Sequence, residues 1–286
     1  MNYRHIYHAG NFADVVKHAV LSRIIEYLKK KDGAFRVIDT HAGRGVYDLS
    51  SAEAQKTGEW RDGIGRLMDA SLPQAAAELL GPYLEAVRAL NPKGGVSRYP
   101  GSPALTRHLL RKQDRLSAIE LHPLDAKALG AKFAGDIQTR VINLDGWLAL
   151  GAHIPPKERR GVVLVDPPFE EPGEFDRMIQ GLVKAHKRWP GGLYAFWYPI
   201  KDRRAVNAFR SDLKETGIAR ITDIVFEVRP SSAEPRLDGC GVTVVNLPYG
   251  LDREVGIILS ALRSVLSDGS SGRFSITALS GEDAAA

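Results

Sequence analysis

Seven short runs rich in Val, Ile and aromatic residues alternate with amphipathic helical patterns, and that alternation limits the fold more than any other feature. The runs are FRVID (35–39), LSAIEL (116–121), RVINL (140–144), VVLV (162–165), GLYAFWY (192–198), ITDIVFEV (221–228) and GVTVVNL (241–247). PALTRHLLRKQ precedes the second run and PLDAKALGAKF follows it; FDRMIQGLVKAHKRW precedes the fifth and DRRAVNAFRSDLKET the sixth. A helix between two strands lets them lie parallel, so the pattern predicts an α/β fold with a mostly parallel seven-stranded sheet and helices on both faces. Only the turn-rich RPSSAEPRLDGC joins the last two runs, which predicts an antiparallel return there.

A helix is expected over 13–30, where Val16, Val20, Ile24 and Leu28 recur every fourth position, with Lys29–Lys31 suiting its C-terminal dipole and Gly33 its end. One stretch breaks the rhythm. Residues 46–98 hold two helical patterns, one through Trp60, Ile64, Leu67 and Met68 and one through Leu80, Tyr83, Leu84 and Val87, and no strand is expected in it. We read it as a helical insertion after the first strand, dividing the chain into a main domain (1–45 and 99–270), the insertion (46–98) and a tail (271–286). That tail, polar and rich in small residues, is expected to fray.

Composition removes several classes. Cys240 is the single cysteine, which rules out an internal disulfide and a Cys-rich zinc site. The start MNYRHIYHAG lacks a signal peptide's apolar core, and no apolar run approaches a membrane span, so a cytoplasmic protein without membrane partners is expected. A net charge of +5 suits a polyanionic partner without demanding one. His5, His8 and His18 cluster near the start, but no neighbouring carboxylate pattern supports a metal, and none is expected.

In open α/β sheets ligands bind beyond the carboxyl ends of the strands. DTHAGRG (39–45) places two glycines directly after the first strand, a signal equally readable as a plain turn. Dinucleotide-type folds carry an acidic residue roughly 20 positions later, on the ribose hydroxyls. Gly43 and Glu120 are 77 residues apart, of which the insertion accounts for 53, leaving 24. Removing it restores an ordinary βαβ unit with Glu120 in the ribose position. Asp145–Gly146 ends the third strand, where an acidic side chain can meet an adenine edge or simply begin a helix.

The fourth strand ends in Asp166-Pro167-Pro168-Phe169. An exocyclic amine on a nucleobase is a poor nucleophile because its lone pair is delocalised into the ring. A carboxylate and a backbone carbonyl that accept its hydrogens free that lone pair and stabilise the charge that develops on attack. Prolines fix the backbone and offer carbonyls without competing N–H groups. An aromatic ring next in line can stack on a base turned out of its helix. Asp166 is then the first acceptor, the Pro167 carbonyl the second and Phe169 the stacking plate. The plain alternative is a rigid turn with Phe169 packed.

Asp-Pro-Pro-aromatic after the fourth strand resembles motif IV of amino-methyltransferases that use S-adenosylmethionine. YRHIYHAGNFADVVKH, DTHAGRG, YPGSP (99–103), ELHP (120–123), LDG (144–146), DPPF and FWYP (196–199) follow in the order of one family. On these residues the chain resembles the bacterial 23S ribosomal RNA adenine methyltransferase J (RlmJ/YhiR-like) family over nearly its whole length. The resemblance implies a class I methyltransferase (Rossmann-like) fold, S-adenosyl-L-methionine as cofactor, 23S ribosomal RNA as substrate, methylation at adenine N(6), and a monomer without an obligate protein partner. It implies cofactor contacts at Lys17, His18, His41, Ser102, Glu120, Asp145 and Gly146, the catalytic acceptor at Asp166 and a substrate RNA contact at Tyr3. Phe169 departs from the family's usual Tyr, keeping the ring and losing the hydroxyl.

Two rival functions remain open on the residues alone. One is the same chemistry on DNA, which DPPF does not distinguish. The other is a non-catalytic RNA-binding or ribosome-assembly protein with a degenerate cofactor site, against which the joint presence of Asp166, Glu120 and Asp145 argues. Trp197 and Tyr198 are readable as a stacking wall or as core. KERRG (157–161) and KDRR (201–204) suit phosphates or a solvated face equally.

Overall fold

In the computed structural model, which describes residues 5–230, 236–267 and 269–281, the first helix starts at a capped Asn11. The Asn11 side chain accepts from the amides of Ala13 and Asp14, two of the donors that a helix start leaves open. In chain order the elements are α1 (Phe12–Lys29), β1 (Arg36–Asp39), β2 (Val46–Asp48), α2 (Ala52–Thr57), a π-helical turn (Arg61–Gly65), α3 (Arg66–Asp69), α4 (Gln74–Leu90), β3 (Arg98–Pro100), α5 (Ser102–Leu109), β4 (Arg115–Glu120) and α6 (Pro123–Lys132). There follow β5 (Thr139–Asn143), α7 (Gly146–Ala152), β6 (Gly161–Val165), α8 (Glu174–Arg188), β7 (Leu193–Ile200), α9 (Arg203–Glu215), β8 (Ile221–Glu227), β9 (Gly239–Val245), α10 (Leu251–Leu266) and β10 (Arg273–Ala278).

The main sheet runs β10-β8-β9-β7-β6-β1-β4-β5. β5, β4, β1, β6 and β7 are parallel, and β9 lies antiparallel between β7 and β8, as the turn-rich connection implies. The chain leaves β1 first toward β4 and β5, then crosses to β6 and β7. The order therefore reverses at β1/β6, the switch point where such sheets bind ligands.

Strands buried on both faces feed two cores. Val37, Val162 and Leu164 pack with α1, α4, α5 and α10; Ile38, Val163 and Val165 pack with α7, α8 and α9. Ile64, Leu67, Leu80, Tyr83, Leu84 and Val87 from 46–98 join the first of these.

Three expectations change. The sheet has eight strands rather than seven, because Arg273–Ala278, in the segment expected to fray, pairs antiparallel with β8 from Arg273↔Glu227 to Ala278↔Thr222. Its cause is a period of two: Phe274 and Ile276 turn inward while Arg273, Ser275 and Thr277 stay exposed. Residues 46–98 are not strand-free, since β2 pairs with β3 in a short ribbon, Val46↔Pro100 to Asp48↔Arg98. α10 also escapes the sequence reading, although Leu251, Val255, Ile258, Leu259 and Leu262 repeat at helical spacing and are buried.

Candidate active site

A cleft of about 260 Å³ opens at the carboxyl ends of β1, β4 and β6. Its glycine turn is built from close contacts. Gly43 has φ +61°, and a β-carbon there would meet the Tyr47 hydroxyl at 2.2 Å; one on Gly146 would lie 2.2 Å from the Thr40 carbonyl. Glu120 ties this turn to the next. One carboxylate oxygen accepts from the Gly43 amide (2.7 Å) and the other from the His122 amide (2.7 Å). Burial raises the Glu120 pKa against these two bonds. Each oxygen keeps a lone pair for a further donor. Asp145 caps α7 through the Trp147 amide at 2.9 Å. The His41 ring stands edge-on to Trp147 at 5.4 Å, and burial, with Arg177 adding to it, lowers its pKa to about 3, so it is neutral. Arg177 stacks over Trp147 at 5.6 Å.

At the other end of the cleft a charged chain runs from the N-terminal segment to the Asp-Pro-Pro motif. Lys17, wholly inside, donates to Asp14 Oδ1 at 2.7 Å and to Asp166 Oδ2 at 2.5 Å. Asp14 Oδ2 takes His5 Nε2 and the Gly10 amide, each at 2.9 Å. Burial works against the Lys17 charge, but Asp14 and Asp166 outweigh it and hold its pKa well above the usual lysine range. Asp39 ends β1 beneath this chain. It is fully buried, and neither carboxylate oxygen has a hydrogen bond of regular geometry. Burial raises its pKa to about 7; weak hydrogen bonding from the Ser102 side chain and the His41 backbone and the Lys17 charge pull the other way, and Asp166 adds to the rise.

A family model described as "Ribosomal RNA large subunit methyltransferase D, RlmJ" matches residues 32–278. The chain belongs to that family. It is 40% identical over 277 residues to ribosomal RNA large subunit methyltransferase J of Escherichia coli, covering 97% of this chain and 98% of that protein. Its counterpart of the same name in Haemophilus influenzae is 40% identical over 278 residues, covering 96% of this chain and 98% of that one. A solved Legionella pneumophila protein superposes with a TM-score of 0.86 at 32% identity, over 95% of this chain and 98% of that chain.

The RlmJ family cleft brings together Lys17, His41, Ser102, Glu120, Asp145, Gly146, Asp166 and Pro167 from the sequence reading. His18 is not among its lining residues. It is buried behind Lys17, stacked on Tyr99 at 5.4 Å with Nδ1 2.7 Å from the Tyr99 hydroxyl, and burial lowers its pKa to about 3. Phe169 stands beside the cleft with φ +52°, its ring edge-on to Phe175 at 5.1 Å and to Trp197 at 6.1 Å. Tyr198 is core: it is fully buried and its hydroxyl donates to Asp223 at 2.8 Å. Tyr3 lies outside the described residues. Sequence reasoning placed Asp39 at the ligand end of β1 without giving it a role, and missed Asp14, Tyr47, Trp147 and Arg177. The signal for Asp39 was its place as the acidic residue closing β1 immediately before the glycine turn; the other four carried none.

Proposed function

We propose that the chain transfers a methyl group from S-adenosyl-L-methionine to the exocyclic N(6) amine of an adenine in 23S ribosomal RNA. The observation that carries this is Asp166-Pro167 at the end of β6, opening into the cleft that Glu120 and Asp145 line, in a chain of this family. Asp39 bears on the cofactor. A buried carboxylate short of partners is costly, and the charge of an ammonium bound in the adjoining cleft relieves part of that cost. The residues lining the cleft thus fit the cofactor: Ser102 toward its amino acid end, Glu120 toward the ribose, and Asp145, Gly146 and His41 toward the adenine, while Asp39 is buried outside the lining and acts on the amino acid end through its charge. When bound, it supplies a methyl group on a sulfonium whose neutral leaving group needs no acid.

The chain's own residues do the rest. With Oδ2 of Asp166 engaged by Lys17, Oδ1 is the oxygen left to accept an amine hydrogen, and the Pro167 carbonyl accepts the second. Both acceptors are fixed before the base arrives, so they stabilise the developing positive charge without reorganising. Lys17 orients Asp166 and is itself held by Asp14. Phe169 offers a ring for the target base, and Tyr3 a contact to the RNA. Alignment of amine and methyl supplies much of the acceleration.

The same reading makes 1–45 with 99–270, extended by β10, the methyltransferase unit and 46–98 an insertion, and gives a monomeric protein in the cytoplasm with its RNA. In its support, no helix among the described residues is long and apolar enough to cross a membrane. The test is incorporation of labelled methyl from S-adenosylmethionine into protein-free ribosomal RNA and into DNA, followed by mapping of the modified base. Label in DNA alone, or in a base other than adenine, overturns the reading.

A further inference from the structure

KDRR (201–204) lies outside the residues that line the catalytic cleft. It closes β7 and opens α9, at the same carboxyl end of the sheet as Asp166. Lys201 and Arg204 are exposed. Behind them, buried Glu227 at the end of β8 accepts from Arg203 and from Arg273, and Arg273 comes from β10, the strand that sequence reading passes over. Wholly buried Asp223 holds Arg210 Nε at 2.7 Å. Two inner carboxylates thus fix three guanidiniums whose side chains remain 42% (Arg203), 55% (Arg273) and 29% (Arg210) exposed. They surround a cleft of about 250 Å³ that Asn207 and Ser275 also line. Lys201, Arg203, Arg204, Arg210 and Arg273 outnumber Asp202, Asp223 and Glu227, so the place is net positive.

The catalytic cleft has the opposite character. Glu120, Asp125, Asp145, Glu170, Glu171 and Glu174 line it and outnumber its two principal cations, Lys17 and Arg177, so it is net negative. Such a mouth admits a base but repels its phosphates, so the backbone needs its anchor elsewhere on the rim. β7, β9, β8 and β10 lie in turn beyond β6. At the usual spacing of neighbouring strands, β8 and β10 stand about 14–19 Å from Asp166 along that rim, within reach of the backbone a few nucleotides away. Guanidiniums held in place by buried acids are suited to two-pronged binding of a phosphate.

We propose that the Arg203–Arg210–Arg273 cleft, with Lys201 and Arg204 at its edge, holds a backbone phosphate of the substrate RNA away from the target adenine. This rests on the reading of RNA as substrate. The site contributes affinity and register, not base chemistry.

The test measures RNA affinity and KM of the full chain on a protein-free ribosomal RNA transcript, from about 50 to 200 mM salt. The variants are the exposed pair Lys201→Gln/Arg204→Gln, and separately Arg273→Gln and Arg273→Lys. We expect the slope of log K against log[salt] to fall by about 0.7–0.9 for each phosphate contact removed. KM for RNA rises, cofactor affinity by calorimetry stays at the wild-type value, and Arg273→Lys recovers the slope. A wild-type slope and KM in the folded variants would mean that the guanidiniums only balance Glu227 and Asp223, and the proposal falls while the methyltransferase reading stands. If Arg273→Gln does not fold, the exposed pair decides alone. A wild-type protein that binds cofactor but methylates no RNA is a different result: it removes the reading itself, and this site with it.

Discussion

β1 has a buried carboxylate near each end, and the two are treated in opposite ways. Asp114 lies at the lower end, where the chain enters β4. It is fully buried, with Oδ1 accepting from the Phe35 amide (3.2 Å) and Arg111 Nη2 (3.1 Å), and Oδ2 from the Arg111 amide (3.0 Å) and Nε (2.9 Å). Asp39, at the upper end, is buried just as completely but has no hydrogen bond of regular geometry, only the Ser102 side chain and the His41 backbone amide near enough to pull on it. A fold that completes the shell of one buried acid and leaves the other incomplete distinguishes the two ends: the lower is finished by the protein, and the upper adjoins the candidate cofactor cleft.

The largest effect should come from breaking the finished end. Asp114→Ala removes the partner of Arg111 and leaves the Phe35 amide unpaired, and should cost about 3–5 kcal/mol of stability. Urea denaturation checks this; cofactor affinity of the folded fraction should not move. A mild loss would mean that the lower end is as provisional as the upper one.

Next comes chemistry at the upper end. Asp166→Asn keeps the size but turns an acceptor toward donation and removes the charge facing the amine. Single-turnover methylation at saturating cofactor should slow by about 10²–10³-fold, with the cofactor still bound. A rate near wild type would reduce the motif to a turn.

Asp39→Asn sharpens the contrast most directly. It should weaken S-adenosylmethionine by about 2 kcal/mol, the range of a hydrogen bond to a charged group, while raising rather than lowering the melting temperature of the free protein at neutral pH. If it destabilises as Asp114→Ala does, Asp39 is an ordinary structural acid.

How much of this was legible depended on whether a residue's role is set locally. Helix–strand alternation placed the parallel strands within a residue or two, because burial on both faces demands continuous apolar runs. Asp166 and Glu120 were legible because strand ends define where ligands sit. Phe274 and Ile276 alternate visibly, yet the Gly- and Ser-rich lead-in at 268–272 masked the strand that follows. Arg177 could not be read at all: it reaches the cleft because α8 packs against α7 and Trp147 lies beneath it, a tertiary fact without local mark. The same holds for Asp39. Its identity is plain in the sequence, but the absence of regular hydrogen bonds is a property of the packed molecule.

That absence leads to the smallest and most specific expectation, a pH dependence. Burial raises the folded pKa of Asp39 to about 7, well above the usual carboxylate range, with the Ser102 hydrogen bond and the Lys17 charge opposing the rise and the Asp166 charge adding to it. From about pH 4 to 7 the folded protein therefore holds a proton that the unfolded chain has released, and stability attributable to this group falls as pH rises through that window, then levels above it. Melting curves of wild type and Asp39→Asn should converge at the acid end and separate toward neutrality, the variant being the more stable. Cofactor binding carries the same proton in reverse. An ammonium near Asp39 favours the ionised form, so below pH 7 binding should release up to one proton, and above about pH 8 none. Calorimetry in buffers of different ionisation enthalpy reads this release directly. A proton count that stays at zero across pH 5–8 in the wild type, or that persists in Asp39→Asn, would separate the buried carboxylate from the cofactor and leave the upper end of β1 without its explanation.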